Sequence, residues 1–116
     1  MAAFYGVLIA KGVKTGKSYS VDMYFSDTAN ENVKFDSGAG ASASSPEFKT
    51  FPEPVVIEDI ALQSGASNTT KMRLVVNGTP QPDVFRYSVH LETLNNRPKL
   101  NIGIREGSML SFLQLA

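Results

Sequence analysis

The sequence predicts an all-β protein: a two-sheet antiparallel sandwich of about eight short strands, jelly-roll-like in size and strand number. Three observations predict it. Apolar residues recur with a period of two, the spacing that lines one face of a strand, and not with the 3.6 of a helix. Turn-forming residues separate the apolar runs at short intervals, and the chain holds nine glycines and six prolines. With 42% hydrophobic residues and no cysteine in 116 positions, one modest core must hold the fold by packing alone or with partners.

The first element is FYGVLIA, 4–10, with Phe4 and Leu8 on one face and Tyr5, Val7 and Ile9 on the other. The turn KTGK leads to SYSVDMYFS, 18–26, where Tyr19, Val21, Met23 and Phe25 oppose Ser18, Ser20, Asp22 and Ser26. Tyr24 is the one large ring on that second face. ENVKF, 31–35, is a brief strand. PVVIEDIALQ then supplies a strand over 54–62; Val56, Ile60 and Gln63 also fit helical spacing, and β-branching favours the strand. KMRLVVN, 71–77, closes on Asn77-Gly78, a strong hairpin signal. NGTPQPD follows as a connector, and VFRYSVHLE, 84–91, alternates Phe85, Tyr87, Val89 and Leu91 against Arg86, Ser88 and His90. Leu100, Ile102 and Ile104 define a strand over 98–104, and SMLSFLQLA supplies the last, 109–115.

The segment 36–54, DSGAGASASSPEFKTFPEP, breaks the pattern. Its Gly/Ala/Ser half is flexible by composition. Ser45-Pro46-Glu47 has the order of a helix cap followed by a first-turn proline, so a short helical turn is expected over 45–51, pinned by Phe48 and Phe51. The whole chain, 1–116, is expected to form one β-sandwich domain with 36–54 as its flexible loop, without repeats.

Composition narrows the function. Eleven basic residues balance eleven acidic ones, so no global field attracts nucleic acid or an anionic membrane. Without cysteine there are no disulfides, thiolate metal sites or cysteine nucleophiles. The N-terminus lacks the pattern of a signal peptide, and its apolar run is too short to span a bilayer.

Individual motifs are weak. Gly12-Val13-Lys14-Thr15-Gly16-Lys17-Ser18 ends like a phosphate-binding loop, yet it has three residues between its glycines where four are needed, and a strand follows where a helix must open. It is expected to be a hairpin turn. His90, the only histidine, stands near Ser88 and Glu92 without a nucleophile-turn motif or metal-ligand spacing, so no catalytic residue is assigned. Asp27 to Asn32, with Asp36 nearby, collects oxygen ligands of the kind that hold calcium, but Asp and Asn also make turns for backbone reasons. No cofactor or metal is assigned. The sequons at Asn68 and Asn77 mark surface loops. Tyr24 and Tyr5 are the best exposed rings for stacking on a sugar, and a carbohydrate-binding module using loops 27–32, 64–70 and 77–83 is the alternative function.

The two terminal strands carry large apolar groups on both faces, whereas a thin sandwich covers only one. Either the long segment folds over the outer face or another subunit does. The chain enters a strand directly after MAAF, uses no cysteine, carries a Gly/Ala/Ser loop at 37–45 and ends in the strand MLSFLQLA. In this it resembles the small β-sandwich structural proteins of virus particles, especially bacteriophage capsid, penton and head-decoration proteins. The resemblance implies a non-enzymatic subunit, made in the host cytoplasm without a signal peptide, found in the virion as an oligomer. Its partners would be itself or other shell proteins, with no nucleic acid and no membrane insertion. The expected interface residues are Phe4, Tyr5, Leu8, Phe48, Phe51, Leu110, Phe112 and Leu113.

Overall fold

A computed structural model describes residues 4–26, 28–36, 40–62, 71–86 and 100–115. Among them the chain is all-β, with no helix and eight strands. These are β1 (Phe4–Gly12), β2 (Ser18–Phe25), β3 (Lys34–Phe35), β4 (Val55–Leu62), β5 (Lys71–Val76), β6 (Thr79–Arg86), β7 (Ile102–Ile104) and β8 (Leu110–Gln114). They form two antiparallel sheets, a five-stranded one in the order β3-β2-β1-β4-β7 and a three-stranded one in the order β6-β5-β8. Strand number leaves connectivity open. Here the first three strands meander and β4 returns by a long connection to lie beside β1, which is one Greek key.

Period-two patterning works as expected. Along β2, Val21, Met23 and Phe25 are buried while Ser18 and Ser20 are exposed, and along β4 Val55, Ile57, Ile60 and Leu62 are buried. The ladder between β1 and β4 shifts register between Ile9 and Ala10, so Glu58 and Asp59 both fall between the buried Ile57 and Ile60. A bulge of this kind keeps the apolar set facing inward after the extra residue. Phe4 stacks on Phe25 with ring centroids 4.7 Å apart. Phe112 joins the two layers, lying 6.2 Å from Phe35 of the larger sheet and 6.1 Å from Phe85 of the smaller.

Three expectations need correction. First, 45–51 is not a helical turn. The Pro46 carbonyl accepts from Phe35 N–H at 2.7 Å, Lys49 exchanges backbone hydrogen bonds with Leu110 at 2.9 Å each way, and the Phe51 carbonyl accepts from Gly107 N–H at 3.2 Å. Groups committed to neighbouring strands cannot also close a helical turn. Phe51 is buried as expected, against the Tyr19 ring, but Phe48 is 49% exposed.

Second, NGTPQPD is not a long connector. Asn77 and Gly78 both take positive φ, 50° and 79°, and form a two-residue turn whose twist matches that of the strands it joins. β6 therefore starts at Thr79 and contains Pro80 and Pro82, beside a register shift in the ladder between Arg73 and Val75. Third, only Lys34 and Phe35 of the expected 31–35 strand pair with β2. The residues before them cross to the other sheet: Val33 N–H donates to the Phe112 carbonyl at 2.9 Å and Gln114 N–H to the Glu31 carbonyl at 2.9 Å.

Segments 30–33 and 46–51 thus lie between β3 and β8 and close one side of the sandwich. The second half of the expected 84–91 strand, the start of the 98–104 strand and residues 37–39 lie outside the described residues.

Candidate functional site

The turn between β1 and β2 does hold an anion, and the anion belongs to the chain. Gly12 N–H donates to the Lys17 carbonyl at 2.8 Å and Gly16 N–H to the Gly12 carbonyl at 3.1 Å, with Gly16 at φ 72°. This tight hairpin leaves the backbone N–H groups of Lys14 and Thr15 converging on Glu53 Oε1, each at 3.0 Å. Thr15 Oγ1 donates to Glu53 Oε2 at 2.5 Å, and the Tyr19 hydroxyl to the same oxygen at 2.8 Å. Successive N–H groups of a turn form an anion-binding concavity.

Glu53 is 6% exposed, so its oxygens are satisfied inside the protein. The Thr15 hydroxyl, foremost, and the backbone N–H groups and Tyr19 hydroxyl hold its pKa down to about 2 against the cost of burial. The Tyr19 hydroxyl is pushed up in turn, first by donating to Glu53 and then by burial. Gly12 is required here because a Cβ would run into the Glu53 carboxyl group. An external phosphate would have to displace a built-in carboxylate, so the loop is a structural clamp.

Sequence reasoning rejected the nucleotide but missed Glu53. The nearest signal is Phe51-Pro52-Glu53-Pro54, a lone acid between prolines directly before β4. The β1–β4 register sets Val55 opposite Gly12, and Val13 N–H donates to the Pro54 carbonyl at 2.8 Å, which delivers Glu53 to the turn.

The outer face of the five-stranded sheet is the other feature that local structure leaves unexplained. β1 sends Tyr5, Val7 and Ile9 outward, Tyr5 44% and Ile9 37% exposed. Register places Tyr24 beside Tyr5, Asp22 and Ala61 on either side of Val7, and Ser20 and Asp59 on either side of Ile9. Tyr5 and Tyr24 meet edge to face with centroids 5.6 Å apart. A depression of about 200 Å³ lies where Gly40 and Ala41 approach Tyr5, Val7 and Asp22. The described part of the long segment therefore borders this face without covering it.

Of the eight expected interface residues, Phe4, Leu8, Phe51, Leu110 and Phe112 are buried in the core of a single chain. A partner cannot touch them while the chain is folded this way. Tyr5 and Phe48 are exposed and Leu113 is half-buried, on the outward side of β8. Ile9 on β1 and Met109 just before β8 are also exposed, and neither is among the expected eight.

His90, Ser88, Glu92, Asp27, Asn68 and the loop 64–70 lie outside the described residues. Among the described residues no group of three His, Cys, Asp or Glu side chains could hold a metal ion. The second sequon coincides with the β5–β6 turn, where Asn77 Oδ1 accepts from Met109 N–H at 2.8 Å. No family model, no curated protein and no solved structure matches the chain.

Proposed function

We propose that the protein is a non-enzymatic structural subunit of a virus or phage particle, a capsid or decoration component that acts through subunit–subunit contact. The outer face of the five-stranded sheet is the contact surface. The observation that carries this is the stripe Tyr5, Val7 and Ile9, left outward on a strand whose opposite side is fully packed. Large apolar groups gathered on one exposed sheet face gain from being covered, and assembly interfaces draw their affinity from such burial. Among the described residues the buried polar side chains Glu53 and Gln114 serve the fold: Glu53 is clamped by the turn, and the Gln114 amide donates to Ser26 Oγ at 3.2 Å. The resemblance to small virion sandwiches supports the particle context.

Substituting Ile9 by Lys tests the proposal. A charge at the centre of the stripe is expected to leave circular dichroism and solubility unchanged while abolishing association with other subunits or particles. Association at wild-type strength would overturn it.

A further inference from the structure

We infer that the partner covering the five-stranded sheet is the three-stranded sheet of a second copy of this chain, joined head to tail. This rests on the proposed assembly role and names the partner. The two outer faces have inverse patterns. On the five-stranded sheet an apolar spine on β1, Tyr5 to Ile9, runs between Asp22 on β2 and Glu58 and Asp59 on β4. Lys11 lies at one end, and the Lys34 ammonium is 3.4 Å from Glu47.

On the three-stranded sheet the arrangement is reversed. Met72 and Leu74 point into the core, so β5 turns Lys71, Arg73 and Val75 outward. Register sets Val84 of β6 and Leu113 of β8 on either side of Arg73, and Leu115 N–H donates to the Lys71 carbonyl at 3.0 Å. Arg73 Nη1 donates to the Gln81 carbonyl at 2.8 Å, which fixes the guanidinium across the sheet. A basic spine with apolar flanks thus stands opposite an apolar spine with acidic flanks.

Sheets stack with strands nearly aligned, about 10 Å apart. An offset of one strand spacing towards β2, about 4.8 Å, places Lys71 and Arg73 over the flank that carries Asp22 and an apolar flank over the Tyr5–Ile9 spine. Pairing the five-stranded face with itself would set acid near acid, which disfavours a two-fold dimer. A contact between two different faces is heterologous. It propagates into rings or open chains rather than closing at two copies.

The test is sedimentation velocity on the full chain over a range of concentrations, at low and high salt. Wild type is expected to grow beyond a dimer with concentration and to weaken in salt. Lys71→Glu and Asp22→Lys should each lower the association constant at least ~10-fold. Mixing the two variants should restore growth, because each new charge then faces its opposite. Lys71→Gln, a milder change, should weaken association, and mixed with Asp22→Lys it should stop near dimers, because one of the two alternating contacts is then native and the other has no opposite charge. Association sensitive to Ile9→Lys and Asp22→Lys but indifferent to Lys71→Glu would overturn the head-to-tail inference and leave the structural role standing. A wild-type chain that stays monomeric throughout would overturn self-pairing.

Discussion

Leu8 and Ile9 are neighbours on one strand, and they should behave as though they belonged to different proteins. Leu8 is fully buried between Val21 and Ile60 of the flanking strands, whereas Ile9 is 37% exposed between Ser20 and Asp59. Truncating a buried leucine to alanine costs about 2–5 kcal/mol, through lost transfer energy and the cavity left behind. Truncating Ile9 forfeits only partial burial and some strand preference, under ~1.5 kcal/mol.

A melting entropy of ~2.1 cal/mol/K per residue over 116 residues comes to ~0.24 kcal/mol/K, so each kcal/mol moves Tm by ~4 °C. Leu8→Ala should therefore lower Tm by ~8–20 °C and Ile9→Ala by no more than ~6 °C. The assay is thermal unfolding followed by circular dichroism, at concentrations low enough to dissociate any assembly. Equal losses from the two variants would refute the reasoning, because Ile9 would then be covered within the lone chain.

The remaining predictions concern the Glu53 clamp. The Glu53 pKa falls from an ordinary 4.5 to about 2 on folding, so its contribution is fully present above 4.5 and is lost as pH drops towards 2. Acid unfolding of wild type should show this loss between those limits, and Glu53→Gln should be less stable at neutral pH with a flatter acid profile; superimposable profiles would show that the carboxylate is not held. Gly12→Ala should cost about 1–3 kcal/mol, the usual price of overpacking, since the new methyl meets the Glu53 carboxyl group. Combining Gly12→Ala with Glu53→Ala should cost less than the two separately, and strict additivity in chemical denaturation would place the clash elsewhere.

Much of the fold was legible because strand periodicity is a local property. Val21, Met23 and Phe25 announce their common face two residues apart, and Asn77-Gly78 announces its turn through the positive φ that both adopt. The failures share a different cause. Ser45-Pro46-Glu47 has good local credentials for a helical turn, but its backbone partners are Phe35, and further along Leu110 and Gly107, residues distant in sequence. Local preference loses where long-range ladders claim the same hydrogen-bonding groups. The candidate surface was half legible. Two-faced apolarity in β1 and β8 is visible in sequence, but which side of each strand the core takes is not.

The sequence by itself determined an all-β chain, most strand positions and the turn nature of the glycine-lysine-serine loop, because each depends on neighbours along the chain. Only the tertiary structure decided that Glu53 fills that loop, that Phe4, Leu8, Leu110 and Phe112 point inward, and that Tyr5 and Ile9 remain outside. Those outcomes depend on which strands come to lie side by side, and pairing is set by packing between residues tens of positions apart.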